Sequence, residues 1–434
     1  MEQKNDKKTI RSWAFFDWAN SAYNLVITST IFPAYYVAIT ANSATNDRVS
    51  FFGWSFTNTA LSNYALSFAY LVMVLVLPIL SSVADYRGNK KIFMQFFTYM
   101  GGLACMGLYF FKLDTLELGM ICFVIAAMGY IGGVLFNNSY LPEIASPEEQ
   151  DRVSAKGYAY GYIGSVILQV ICFVFVLKPE LFGITDPSFP PRLSFLLVGV
   201  WWIAFAQITF RKLPAGSRNY SAINKKVVRS GFQELSKVWK QLKHMNFLKI
   251  FLFAFFFYSM GVQTIMLAAA GFGEKTLKLG TSKLIITILI IQLVAILGAM
   301  VMSYLAKRMG NVRVLIYVVI IWIFACVCGY FIYTEMQFYA LAAVVGLIMG
   351  GIQSLSRSTY SKYLPPNTPD TTSFFSFYDV TEKMAIVIGL FCFAFIEEAT
   401  GSMRNSIIAL ASFFIIGLVF LLILMKVERK LAIA

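Results

Sequence analysis

The chain has one histidine, His244, and it falls in a basic stretch between apolar runs. Histidine is the usual general base near neutral pH and the commonest metal ligand. With none in the apolar runs, histidine-based catalysis or metal binding inside a membrane is excluded. Cysteine is equally uninformative as chemistry. Cys105, Cys122, Cys172, Cys326, Cys328 and Cys392 all sit within apolar runs and no Cys-x-x-Cys pair occurs, so neither a disulfide framework nor a zinc site is indicated. No metal and no cofactor is expected. A phosphate-binding G-x4-G-K-[ST] loop is also missing. The nearest stretch, Gly271 to Thr276, lacks the spacing, so ATP-driven transport by this chain alone is not expected. Charged residues are scarce, at 13% of 434, against 58% hydrophobic and 16% aromatic.

What fills the chain instead is apolar runs of 18 residues or more, recurring from end to end, the signature of a polytopic membrane protein. Twelve spans are expected, at about 13–40, 59–82, 91–111, 117–138, 155–177, 193–210, 246–270, 283–305, 314–333, 338–356, 373–396 and 405–425. The fold class is therefore all-α. The first eleven residues are polar and basic, but the run that follows is too long for a signal peptide and lacks a small-residue cleavage site, so it reads as a retained first span.

The formal charge of +14 raises nucleic acid as a partner, and the placement of the charges argues against it. With the N-terminus cytoplasmic, 27 of the 36 Lys and Arg fall in cytoplasmic segments, 8 fall in outer loops, and Lys383 alone lies within a span. The positive-inside rule then puts both termini in the cytoplasm, with the basic surplus facing anionic lipid. With no targeting peptide, a bacterial inner (cell) membrane is expected, with a eukaryotic vacuole the alternative.

Residues 211–245 divide the chain, giving expected six-helix bundles at 1–210 and 246–434. Within the divider Phe232, Leu235, Trp239 and Leu242 recur at helical spacing, with Lys237, Lys240 and Lys243 on other faces. That pattern is an amphipathic helix on the inner membrane surface or a solvated linker helix. The halves also echo each other. Asp85-Tyr86-Arg87-Gly88-Asn89-Lys90-Lys91 and Lys307-Arg308-Met309-Gly310-Asn311-Val312-Arg313 lie 222 residues apart. Gly132-Gly133 and Gly350-Gly351 lie 218 apart, and each pair precedes a Tyr-Leu-Pro. Matches in order at nearly constant offset favour a six-plus-six parallel repeat.

Three stretches carry polar groups where a lipid-facing helix has no use for them. In the first span Asp17 is followed by Asn20, Ser21, Asn24 and Thr28 at +3, +4, +7 and +11, one helical face, as a helix lining a wet cavity would show. Helix–helix adhesion is the plainer reading of the Asn and Ser. Gln263 and Gln353 lie at depths where a substrate is held, or bond neighbouring helices. In the eleventh span Asp379, Glu382 and Lys383 sit in the inner half, with Asp379 and Lys383 four apart, the favourable order for an intrahelical pair. Such a cation must be paired or hydrated. Asp17 is expected to be the coupling residue and Lys383 its cationic partner. In the loop after the second span, Gly88 permits a tight turn, Arg87, Lys90 and Lys91 hold the loop at the inner surface, and Asp85 is free to pair with them or with a helix N-terminus across the halves. The second copy has Lys307 where the first has Asp85, so only the first is expected to latch.

The stretches WAFFDWANSAY (13–23), YLPEIASPEEQDRVSAKGYAYGYIG (140–164), GVQT (261–264), GGIQSLSRSTYSKYLP (350–365) and FFSFYDVTEK (374–383) resemble the UMF1 branch of the major facilitator superfamily, which includes the Atg22-like vacuolar effluxers of fungi. The resemblance covers nearly the whole chain. It implies the major facilitator fold, a monomer, and a secondary-active exporter with amino acids or similar small metabolites as substrate. The proton is the coupling ion expected from Asp17, and with no histidine or metal set in the spans no enzymatic activity is expected. The resemblance also implies that the loop at Asp85 works as a latch. Met260 stands where members of the family often carry an acidic residue, just before Gly261-Val262-Gln263-Thr264, so one acidic cavity residue is expected to be missing. A transporter of another solute class and a transport-dead sensor or scaffold remain the alternatives.

Overall fold

The computed structural model describes residues 4–42, 47–214 and 225–433. Apart from one hairpin the described chain is helical. Among the described residues, eleven helical segments are long and apolar enough to cross a membrane. A twelfth, Thr371–Thr400, has the length at 30 residues and differs by carrying Asp379, Glu382 and Lys383. The helices are α1 (Lys7–Tyr23), α2 (Ile31–Thr40), α3 (Asn58–Arg87), α4 (Lys90–Gly107), α5 (Leu116–Asn138), the short α6 (Leu141–Ile144), α7 (Gln150–Leu177) and α8 (Phe189–Lys212). After the linker helix α9 (Lys225–His244) come α10 (Asn246–Lys275), α11 (Thr281–Met309), α12 (Asn311–Tyr330), α13 (Glu335–Lys362), α14 (Thr371–Thr400) and α15 (Met403–Ile433).

Two large apolar cores form, with a small third around Phe272, Leu279, Ile332 and Phe338. One draws its buried side chains from Ile10 to Leu213, the other from Val238 to Leu424, and Tyr162 of α7 reaches into the second. Small residues set how closely helices approach. Gly157, Gly161 and Gly164 face α1, where added Cβ atoms would meet Asp17, Ser21 and Trp18 at 2.4, 2.5 and 2.6 Å. Gly346 and Gly350 lie against Ile291 and Ala295 of α11 in the same way. Both termini share one face. Asn5 donates to the Ile144 carbonyl at 2.8 Å, Tyr363 donates to Glu428 at 2.5 Å, and Lys362 meets Asp151 at 2.5 Å. This face holds the linker and most of the cations, and is called the basic face below.

The first span starts earlier than hydropathy places it, because Asp6 caps it. The Asp6 carboxylate accepts from the Thr9 amide and hydroxyl, both at 2.8 Å, and these bonds hold it below the usual carboxylate range. The span is also not one α-helix. Between α1 and α2, Asn24–Thr30 winds as a π-helix. Pro33 lacks an amide and its ring crowds the carbonyl four residues back, so the regular ladder fails here. The Ser29 and Thr30 hydroxyls bond the carbonyls five residues back, Asn24 at 2.9 Å and Leu25 at 2.7 Å. This winding breaks the phase of the polar stripe.

A hairpin follows on the opposite face. β1 (Arg48–Phe51) and β2 (Trp54–Thr57) pair antiparallel, with Phe52 and Gly53 both at positive φ, as a two-residue turn requires. The linker helix α9 neither floats nor lies on lipid alone. Val238 and Leu242 are buried, α9 packs on α3 and α14, Trp239 sits 5.6 Å from the Phe377 ring, and Lys237 pairs with Asp370 at 3.1 Å. It docks across the seam between the halves. The Phe232 side chain and residues 215–224 of the linker lie outside the described residues.

Candidate functional site

The basic side is closed by three cross-half connections. In the first, α3 ends at Gly88, whose φ of +61° turns the chain sharply into α4. That turn aims Asp85 at the N-terminus of α14, where its carboxylate accepts from the Thr372 and Ser373 amides at 3.2 and 2.6 Å. Anions are favoured there because the first amides of a helix have no internal partner. Lys90 does not hold the loop at the surface. It is buried, lies 4.1 Å over the Tyr140 ring, pairs with Glu143 at 2.5 Å and reaches Thr371 at 3.3 Å. Lys91 donates to the Leu213 carbonyl at 2.7 Å, and Arg87 is half-buried.

The second connection corrects the expectation that only one loop copy crosses the halves. At the second copy, Asn311 donates to Asp151 of α7 at 2.6 Å, and Lys362 pairs with the same carboxylate at 2.5 Å. The chemistry is inverted. The acid is on the receiving helix, which is why a search for an acid at position 307 misses it.

The third connection corrects the partner of Asp17. It is Arg357 of α13, at 3.1 Å, not Lys383. Asp17 also accepts from Asn137 at 3.1 Å. Arg357 is 2% exposed, and all of its described partners lie on the other half. Its guanidinium donates to the Asn138 side chain at 3.0 Å, the Ser154 hydroxyl at 2.9 Å and the Ser154 carbonyl at 2.8 Å. It lies 4.8 Å from the Trp13 ring and 4.3 Å from the Tyr158 ring. Gly157 makes the approach possible, since a Cβ there would fall 2.7 Å from the guanidinium. Hydropathy ends the tenth span at residue 356 and so treats Arg357 as a loop cation. The available signal is the helical i, i+4 spacing from Gln353 and the run of small polar residues around it.

Further from the basic face lies a second charged cluster. Lys383 contacts Glu382 at 2.6 Å and Asp379 at 3.4 Å, and Gln263 donates to Glu382 at 3.1 Å. The Asp379 Oδ2 atom is buried with no hydrogen-bond partner. Tyr70, Tyr130 and Tyr158, from three helices of the other half, lie within electrostatic reach of Lys383 and Glu382. Tyr162 donates to Gln353 at 2.6 Å, joining the halves at this level. The hydrogen bonds named here between the halves all lie between that pair and the basic face. On the opposite side a cavity of about 250 Å³ opens between the π-segment and the second half, lined by Asn24, Thr28, Ser29, Met266, Thr287 and Gln292 among others. The polar stripe of the first span therefore splits. Asn24 and Thr28 line the cavity, Asn20 is buried with its Nδ2 unpartnered, and Asp17 joins the closed side. Among the described residues no group of three or more His, Cys, Asp or Glu is placed to hold a metal.

Comparison with known proteins places this geometry. The family profile described as "Vacuole effluxer Atg22 like" matches residues 5–433. The chain belongs to that family. An uncharacterized MFS-type transporter, YxiO, of Bacillus subtilis is 31% identical over 419 residues, covering 96% of this chain and 95% of YxiO. Autophagy-related protein 22-2 of Aspergillus oryzae is 24% identical, covering 85% and 75%. Among solved structures, the major facilitator transporter FucP in its outward conformation aligns with a TM-score of 0.67 at 14% identity, over 96% of this chain and 98% of that one. The human organic anion transporter MFSD10 aligns at 0.70 and 10% identity, over 96% and 100%. This Atg22-like chain is thus an all-α, multi-pass major facilitator transporter and not an enzyme.

Asp85→Asn removes the charge that meets the α14 N-terminus. Such an interaction contributes about 1–2 kcal/mol when partly buried, so the equilibrium toward an open basic side is expected to shift roughly tenfold. Alkylation of Ser354→Cys in a cysteine-free background measures it. An unshifted labelling rate together with wild-type turnover would show that the contact does not latch.

Proposed function

We propose that this transporter moves amino acids or similar zwitterionic small metabolites outward by alternating access, coupled to protons, and that it works as a monomer. In this reading the units are 1–210 and 246–434, joined by 211–245. The basic face is cytoplasmic, on the positive-inside bias of its loops, and the membrane is a bacterial cell membrane. The observation that carries the substrate class is the central cluster. Two carboxylates, Asp379 and Glu382, face one ammonium, Lys383, within a tyrosine-rich layer. A net negative charge in a low-dielectric centre calls for another cation. A substrate ammonium supplies it at Glu382, Lys383 receives the substrate carboxylate, and the tyrosine faces pack the remainder and favour a cation. Gln263 fixes the Glu382 carboxylate, and Asn20, Asn24 and Gln353 supply neutral polar contacts along the path.

The closure on the basic side supports a place for the proton. Asp17 and Arg357 are on opposite halves, so opening that side withdraws the guanidinium and leaves Asp17 uncompensated. A proton is the smallest cation that restores neutrality. Asp85 with Arg87, Gly88, Lys90 and Lys91 forms the latch that sets when this happens.

Counterflow in proteoliposomes tests the class directly. Vesicles loaded with a mixture of unlabelled amino acids should accumulate labelled ones, and Glu382→Gln should abolish this while the protein stays folded. Counterflow with sugars or organic anions but with no amino acid would overturn the substrate class.

A further inference from the structure

One lateral cavity lies away from the central cluster. A groove of about 800 Å³ runs between α7 of the first half and α11 of the second, near the basic face. Its two walls have the same vertical order. On α7, Arg152 and Lys156 give way to Ala159 and Ile163. On α11, Lys307 and Arg308 give way to Tyr304 and Met300. In each wall seven residues separate the inner cation from the apolar end, about 10 Å by helical rise. We propose that this groove binds one anionic phospholipid of the adjoining leaflet, its phosphate between Lys156 and Lys307 and an acyl chain along Ala159, Ile163 and Met300.

The charge balance favours an anion. Seven charged groups line the groove. Glu149 is taken by Arg152 at 2.5 Å, and Asp151 by Lys362 at 2.5 Å. Arg308 lies 4.5 Å over the Tyr304 ring, and Glu148 is exposed in the loop before α7. Lys156, which lies 5.7 Å from the Tyr160 ring, and Lys307 are left on facing walls with no salt bridge to a described carboxylate, and Arg11 and Arg152 are close enough to act on Lys156 electrostatically. A cation ring at the headgroup level, above an apolar trough of acyl depth, matches a phospholipid and not a soluble anion. The trough is continuous with exposed apolar surface, since Met300, Val301 and Leu297 are all open to the membrane. Because the walls belong to different halves, the bound lipid spans the seam that opens when the basic side opens.

Native mass spectrometry of the full chain, titrated with phosphatidylglycerol or phosphatidylcholine of matched acyl chains, tests this. The wild type should retain one phosphatidylglycerol at least tenfold more tightly than phosphatidylcholine. Lys156→Gln and Lys307→Gln should each weaken it about fivefold and together roughly thirtyfold, while Lys156→Arg with Lys307→Arg retains it. Lys426→Gln with Lys430→Gln, on the same face but away from the groove, should change nothing. Excess glycerol phosphate should fail to displace the lipid. Equal retention of the two lipids by the wild type, unchanged binding in the double glutamine variant, or displacement by glycerol phosphate would each overturn the proposal. The wild-type comparison and the displacement arm need no variant to fold.

Discussion

Arg357→Ala is expected to abolish transport and to cost about 3–5 kcal/mol of stability, the largest effect of any single substitution here. The reason is asymmetry. Arg357 and Asp17 are both buried, at 2% and 8% exposure, so deleting the guanidinium leaves a carboxylate facing Trp13, Asn137 and Gly157 with no counter-charge. The Ser154 hydroxyl and carbonyl and the Asn138 side chain lose their donors in the same step. Asp17→Asn should cost less, because the guanidinium keeps those three hydrogen bonds. The double variant Asp17→Asn with Arg357→Gln removes both charges and should recover most of the stability. It should not recover the closed basic side, since neutral amides cannot replace an ion pair drawn from opposite halves. Thermal unfolding in detergent reads the first effect, and cysteine alkylation from the basic side reads the second. Wild-type stability and flux in Arg357→Ala would show that the pair is incidental. Full recovery of gradient-driven flux in the double variant would remove Asp17 from the coupling step.

Lys383→Met is expected to be nearly as severe, for the opposite electrostatic reason. It removes the one cation that separates Asp379 from Glu382, contacts of 3.4 and 2.6 Å in the native cluster. The two carboxylates then share a desolvated site, and flux should fall at least about a hundredfold, near 3 kcal/mol in the rate-limiting barrier. The variant should also melt at a lower temperature than wild type, because two like charges then face each other without the intervening ammonium. Lys383→Met with Glu382→Gln leaves a single carboxylate and should recover part of that loss. A wild-type melting temperature in Lys383→Met would mean that Lys383 does not neutralise the pair.

These two predictions rest on residues that the sequence exposes unequally. Asp379, Glu382 and Lys383 are legible because charges inside an apolar run stand out, and their i, i+3 and i+4 spacing puts them on one face of one helix. Arg357 is not legible in this way. It lies 340 residues from Asp17 and just past the edge of its hydropathy window, where a cation reads as an ordinary loop charge. Asp17 is visible as a costly group, but its partner is not. Position along a helix gives depth alone, a one-dimensional coordinate that says nothing of which helices touch.

The sequence by itself determined the all-α class, the succession of spanning helices, the internal repeat and the acid–glycine–base turn at Asp85 to Lys91. Each is local or periodic, and local chemistry follows from spacing, Gly88 and the apolar runs. Tertiary structure alone decided the rest. It paired Asp17 with Arg357, set Asp151 against Asn311 and Lys362, docked α9 across the seam, and turned Asn24 away from Asp17 through a π-segment. Those outcomes depend on helix rotation and on which faces come together. Helix rotation is fixed by packing at glycines such as Gly157 and by desolvated charges seeking partners, and neither has a period that a single chain can show.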